Sequence, residues 1–173
     1  MKQTDADLLA KAIQFAISAH GEQKRKYTGE PYVTHPLAVM SIVQQVPHTT
    51  EMLVAAVLHD VVEDTPVEIT EIKQEFGPVV ATYVDGLTDV SKPEDGNRAE
   101  RKALDREHTA VQSAEVQTIK LADLIHNTAS IAEHDPSFYK VYRAEKLKLL
   151  ELLTKGDTTL MWRAQQQIGA ING

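Results

Sequence analysis

Cysteine is absent from this sequence. That excludes disulfides, thiolate zinc sites and cysteine nucleophiles, and it fits a reducing compartment. No stretch of about 18 apolar residues occurs, so no membrane span is expected. The first residues, Met1-Lys2-Gln3-Thr4-Asp5, lack the apolar core of a secretory leader. Positive charge is in deficit: 18 Lys and Arg stand against 25 Asp and Glu, for a net charge of −7. A nucleic-acid module usually carries a basic face, so this balance argues against one. An anionic small molecule stays compatible, because local Lys and Arg bind phosphate even on an acidic protein. The expectation is a cytoplasmic protein with a small-molecule partner and no nucleic-acid or membrane partner. The sequence leaves the oligomeric state open.

What the chain does contain is helical periodicity. At 173 residues it has the size of one domain, able to bury roughly 70% of its unfolded surface. Strand-like alternation is missing, and apolar residues recur at helical spacing. Thr4 followed by Asp7 resembles a capping signal, and Leu9, Ile13, Ala16 and His20 share a stripe, predicting a helix over 5–20. Gly21 to Thr34 reads as a loop, with Gly21, Gly29 and Pro31 among charged residues. Pro36 suits the first turn of a second helix, capped by Thr34 or His35 and stopping before Pro47. A third helix is expected over 50–63, ended by Pro66. Further helices are expected over 68–76, closed by Gly77, and from Pro78 to Leu87. The stretch Ser91-Lys92-Pro93-Glu94-Asp95-Gly96-Asn97 is the most loop-like in the chain. Helical pattern resumes from Arg98 to Asn127 with a break near Ser113. His134-Asp135-Pro136 is a turn. A helix over 137–154 closed by Gly156, and a last one carrying Trp162, complete a single all-α domain over 1–173.

The third helix holds the chemistry. Nine of the eleven residues from Met52 to Val62 are apolar, and a helix apolar on every side belongs in a core. His59 and Asp60 sit inside it. A lone buried His is usually a satisfied core residue, but an ionised Asp beside it is costly unless paired or metal-bound. Adjacent His and Asp side chains can reach one cation. Two more ligands are available: His35, at a predicted helix start, and Asp123, in the apolar helix Ile119-Lys120-Leu121-Ala122-Asp123-Leu124-Ile125. Two His and two Asp suit Mn²⁺, Fe²⁺ or Zn²⁺, and ligand type alone does not choose. Glu63 and Asp64 follow His59 and Asp60 by four residues each, one helical turn. A carboxylate there can hold or deprotonate a metal-bound water. A solvated acidic helix end is an equal reading on sequence mechanics alone.

A basic set accompanies these residues. Lys24-Arg25-Lys26 sits in the loop that leads to His35, so its cations are placed to reach phosphates at a metal. Arg98, Arg101 and Lys102 follow the 91–97 loop and are placed similarly. Asn127 lies one turn after Asp123 and offers both donor and acceptor, which suits ribose or phosphate. Tyr142 is either a wall for a sugar or base or an ordinary core tyrosine.

His35-Pro36, the block Leu58-His59-Asp60-Val61-Val62-Glu63-Asp64-Thr65, and Ile119-Lys120-Leu121-Ala122-Asp123 together resemble the HD-domain metal-dependent phosphohydrolases. More narrowly they resemble the hydrolase domain of RelA/SpoT homologues. Gly29-Glu30-Pro31-Tyr32, Phe76-Gly77, Val84-Asp85-Gly86-Leu87-Thr88 and Glu100-Arg101-Lys102 match in order, so the resemblance spans about residues 5 to 155. It implies an HD-domain helical bundle and a stand-alone small alarmone hydrolase. The implied reaction is Mn²⁺-dependent removal of the 3′-pyrophosphate from (p)ppGpp, giving GDP or GTP and pyrophosphate. By the same resemblance His35, His59, Asp60 and Asp123 hold one Mn²⁺, and Glu63 and Asp64 activate water. Arg25 stacks on the base with Lys26 nearby, Asn127 meets the ribose–phosphate, Arg98 meets phosphate, and Tyr142 flanks the nucleoside. Three departures bear on the base: the loop 23–29 is one residue longer than in common members, and Leu124 and Ala129 stand where cations are frequent. Guanine versus adenine, (p)ppGpp versus (p)ppApp, therefore stays open. So do other HD activities, an NADPH 2′-phosphatase or a nucleotidase, and a non-catalytic nucleotide-binding module.

Overall fold

The computed structural model describes residues 4–170. Among them all regular structure is helical, apart from one antiparallel bridge between Lys24 and Pro31. The chain divides into two compact units, Met1–Thr88 and Asp89–Gly173.

In the first unit, α1 (Asp5–His20) opens with the expected cap: Thr4 accepts from the Asp7 N–H, and the Asp7 carboxylate returns a bond to the Thr4 N–H. Two orphan donors of the first turn are thereby satisfied. Ala12 and Ala16 in its buried stripe are small enough to admit close packing on α3, and His20 completes the stripe. α2 (Thr34–Val43) starts two residues earlier than its proline suggests; Val33 occupies the cap position and no side-chain cap forms. Backbone bonds from Thr34 and His35 to the Pro31 and Tyr32 carbonyls start the helix instead. α3 (Thr50–Leu58) is buried from Met52 through Leu58, so its apolar residues on all sides have a core to enter.

The expected single helix over 50–63 is in fact two. The helical bonding lapses at His59 and Asp60 and resumes as α4 (Val61–Asp64). Asp60 has φ −95° and ψ −5°, the bridge region where turn residues and many active-site residues sit. Apolar periodicity continues through the break, which is why the pattern alone reads as one helix. α5 (Ile69–Phe76) and α6 (Pro78–Leu87) follow, joined through Gly77 at φ 89°.

The second unit begins with a short 3-10 turn over 93–95. α7 (Arg98–Val111) is capped by Asn97, with Glu100 returning the bond. α8 (Ala114–His134) is capped by Ser113, at the expected break, and α9 (Pro136–Leu150) by Asp135. α10 (Thr158–Ala170) carries Trp162. Buried Gln117 staples this unit: its amide donates to the Ala110 carbonyl at 3.0 Å and accepts from the Lys155 N–H at 2.9 Å. Gly156 lies against that staple, and a Cβ there would meet Leu121 Cδ1 at 2.7 Å. Among the described residues no helix is long and apolar enough to cross a membrane.

Candidate functional site

The interruption between α3 and α4 decides where two side chains point. In a continuous helix neighbouring residues diverge around the axis. At the break, His59 and Asp60 instead approach each other, with Nε2 and Oδ2 3.2 Å apart. His35, in the first turn of α2, brings its Nε2 to 3.4 Å from the same Asp60 oxygen. The two imidazoles meet edge to face, with centroids 5.2 Å apart. His35 and His59 are 1% and 3% exposed, so any charge here is held away from solvent.

The protonation of His59 follows from its neighbour. Its Nδ1 lies 2.8 Å from the Ala56 carbonyl oxygen. A carbonyl only accepts, so Nδ1 carries the proton and, in the neutral ring, Nε2 carries a lone pair. That lone pair faces a carboxylate oxygen. Two acceptors at this distance require a second ring proton or a cation between them. Orientation of a ligating His by a backbone carbonyl is the usual outer support of a metal site. The residues present therefore fit a divalent ion: two buried imidazole nitrogens and a carboxylate of mixed N/O type.

A ring of polar contacts supports Asp60. The Tyr32 hydroxyl donates to Asp60 Oδ2 at 2.7 Å. Burial first, and then the negative charge of Asp60, push this phenol far above its ordinary pKa, so it remains a donor. The Tyr32 ring packs on His20, 4.7 Å between centroids, and meets the His35 ring edge to face. His20 Nδ1 lies 2.9 Å from Gln23 Oε1, and Gln23 Nε2 donates to Asp64 Oδ2 at 3.1 Å. The end of α1 is thus tied to the end of α4 through one glutamine. Glu63 and Asp64 both occupy the exposed side of α4, one turn beyond His59 and Asp60 as the spacing predicts.

The basic loop closes on itself before reaching α2. The Arg25 N–H donates to the Glu30 carbonyl, the Gly29 N–H to the Arg25 carbonyl, and the Tyr32 N–H to the Gln23 carbonyl. Gly29, at φ 72°, makes that turn inexpensive. The Arg25 guanidinium stands 5.7 Å from the Tyr32 ring centroid, so loop and carboxylate share one aromatic support. The Lys26 ammonium lies over the Tyr27 ring at 4.8 Å and bonds its hydroxyl at 3.3 Å.

The remaining predicted residues belong to the second unit. Asp123 is buried on α8; its Oδ1 accepts from Asn127 at 2.6 Å, and its Oδ2 lies 3.7 Å from the Lys120 ammonium. Asn127 is thus bound to the carboxylate one turn before it. Arg98 forks onto Glu145 through two bonds of 2.7 and 2.9 Å and stacks on Phe138 at 5.3 Å. Tyr142 is buried; its hydroxyl donates to the Leu124 carbonyl at 3.4 Å and lies 3.3 Å from the Thr128 hydroxyl. Lys102 binds Asp89 at 2.6 Å and Asp105 at 3.0 Å. Sequence reasoning misses the support by Tyr32, Gln23 and His20, and the carboxylate Asp105. Tyr32 has a signal, since it stands three residues before His35 in the Gly29-to-Tyr32 segment. Gln23 has none.

The model of the family described as "HD domain" matches residues 12–154. The GTP pyrophosphokinase of Streptomyces coelicolor is 33% identical over 166 residues, covering 94% of this chain and 20% of that protein. The bifunctional (p)ppGpp synthase/hydrolase SpoT of Escherichia coli is 36% identical over 144 residues, covering 82% and 20% respectively. The chain thus spans about a fifth of the length of the curated relatives it matches. A solved structure described as a metazoan ortholog of SpoT that hydrolyzes ppGpp superposes with TM-score 0.85 at 28% identity, covering 95% of this chain and 96% of that one.

Proposed function

The chain belongs to the HD-domain family, and from that premise we propose that residues 1–173 form one hydrolase domain that removes the 3′-pyrophosphate from alarmone nucleotides of the ppGpp type. The observation that carries this reading is the Asp60 oxygen shared by two buried imidazoles, with two carboxylates one turn away on the exposed side. The extent of the likeness to the ppGpp-hydrolysing ortholog supports the substrate class. In this reading His35, His59, Asp60 and Asp123 would hold one Mn²⁺. A bound divalent ion supplies Lewis acidity and a water of lowered pKa.

The chain's own residues then divide the work. Glu63 takes the proton from the attacking water. Asp64, steadied by Gln23, orients that water. Arg25 lies against the base, with Lys26 beside it. Asn127, already bound to Asp123, donates its second amide hydrogen toward the ribose–phosphate. Arg98 exchanges Glu145 for a substrate phosphate, and Tyr142 backs the nucleoside. The products are the nucleoside 5′-di- or triphosphate and pyrophosphate, released in the cytoplasm. Stacking on Arg25 does not distinguish guanine from adenine, and Leu124 and Ala129 contribute no cation to the choice.

The test is product analysis with ppGpp, ppApp and NADPH in parallel, on Mn²⁺-loaded and EDTA-treated protein. Metal-dependent pyrophosphate release is the expected result, and the faster nucleotide assigns the base. Phosphate release from NADPH alone would replace the reading with a 2′-phosphatase. No product from any of the three would leave a nucleotide-binding module without turnover.

A further inference from the structure

A cleft of about 50 Å³ lies wholly within the second unit, bounded by α7, α8 and α9 and by Asp89. Its volume is that of a few waters, the scale of one phosphoryl group. Four cations line it: Lys102, Arg106, Lys120 and Lys146. Three carboxylates line it too, but their charge is largely committed. Asp89 and Asp105 clasp Lys102, at 2.6 and 3.0 Å. Glu145 is forked by Arg98. Lys120 faces Asp123 at 3.7 Å.

Lys146 makes no described ion pair, although the Asp123 and Asp89 carboxylates act on its charge from farther off. Its one described contact is with the face of Tyr142, 5.2 Å from ammonium to ring centroid. Arg106, half-buried in the same wall, makes no described ion pair. Burial first, and then the nearby Lys120 charge, lower the Lys146 ammonium to about 8. A half-buried ammonium that no carboxylate bonds directly is held at a cost, and an anion entering the cleft would offset it.

We infer that this cleft binds a phosphoryl or pyrophosphoryl group, with Lys146 and Arg106 as its two uncommitted donors. Lys120 adds a third positive charge, and Lys102, fixed by its two aspartates, holds the wall in place. The same chemistry is presented by free pyrophosphate and by the terminal phosphates of a nucleotide. The assignment stands on unit-2 residues alone and does not require the hydrolase reading.

The test uses the full chain in EDTA, which silences any metal-dependent binding. Inorganic pyrophosphate and GDP are titrated separately by calorimetry. At least one is expected to bind, with affinity falling about tenfold or more in Lys146→Met and less in Arg106→Gln. Pyrophosphate alone identifies the free anion as the ligand, and GDP alone identifies a nucleotide's phosphate end. Asp60→Ala is expected to leave this metal-free binding unchanged, so a failed turnover assay and a failed anion site read out separately. Lys146→Met should melt no lower than the parent, because it removes an unpaired charge and keeps the packing on Tyr142. Absence of binding for both probes, or equal affinity in Lys146→Met, overturns the inference.

Discussion

Asp60 and Asp105 are both carboxylates set among other polar groups, and they are opposites. Asp105 is saturated by donors. Its Oδ1 accepts the Val90 and Ser91 N–H groups, and its Oδ2 accepts the Ser91 hydroxyl and the Lys102 ammonium, all within 3.2 Å. Burial alone would raise its pKa, but these bonds outweigh that and hold it below the ordinary carboxylate value. Such a group fastens a loop to a helix. Asp60 Oδ2 accepts the Tyr32 hydroxyl, and the same oxygen faces two imidazole nitrogens, at least one of them carrying a lone pair when neutral. Such a group suits a cation. The contrast separates a carboxylate whose partners fasten the fold from one whose partners suit a ligand, and it uses only the identity of the facing atoms.

The largest expected effect that sharpens this contrast is at Asp60. Asp60→Ala should remove bound Mn²⁺, read by elemental analysis, and lower ppGpp turnover by about 10³-fold or more. Retained metal would break the comparison at once. Glu63→Gln should keep the metal and still lose about 10²-fold or more in turnover, the outcome that the proposed role of Glu63 as base requires. Asp105→Ala should do the reverse of Asp60→Ala. Urea unfolding should show a loss of about 2–3 kcal/mol, because Lys102 and two loop N–H groups lose their acceptor, with the metal content unchanged. Tyr32→Phe should weaken metal affinity about tenfold in a direct titration, as removal of an outer hydrogen bond does elsewhere. A structural role alone would lower the melting temperature and leave that affinity intact.

The smallest expected effect is in the acid limb of stability. The folded-state pKa of Asp105 is depressed from 3.8. Its contribution is therefore complete above the unfolded value near 3.8 and is lost as pH falls through the lower, folded value. Asp105→Asn should flatten that limb in acid denaturation curves. An unchanged acid limb in the variant would show that the four bonds do not favour the ionised form.

The elements were legible wherever local chemistry chose them. The Thr4–Asp7 box, the Ser113 break and the Asp135-Pro136 turn each act through one or two side chains on the nearest backbone. The division at His59–Asp60 was not legible, because burial rewards the same apolar residues on both sides of the break. Of the candidate site, His59 and Asp60 were readable as polar residues in apolar surroundings and His35 from its place at a helix start, and the structure brings them together. Lys102 was read as a phosphate contact but is committed to Asp89 and Asp105. The Asp105 half is an ordinary i,i+3 helix pair, but no spacing rule foretells the Asp89 half, whose partner lies 13 residues away. Gln23 was silent for the same reason: its partner Asp64 is 41 residues distant. Tyr142 allowed two readings, and its hydroxyl turns to the Leu124 carbonyl, 18 residues away.

The interruption between α3 and α4 also sets how this chain tolerates changes in length. Upstream, seven consecutive buried residues from Met52 to Leu58 fix where the chain arrives. Downstream, Val61 is buried and the Thr65 hydroxyl closes α4 onto the Val61 carbonyl at 2.6 Å. With both ends anchored, one codon gained or lost between 58 and 61 cannot be absorbed by sliding. It would rotate either the imidazole or the carboxylate out of register while leaving the apolar packing largely intact. Lineages descending from such a gene would be expected to drift more readily between Ser91, held by Asp105, and the cap residue Asn97, and hardly at all in the spacing from Leu58 to Val61.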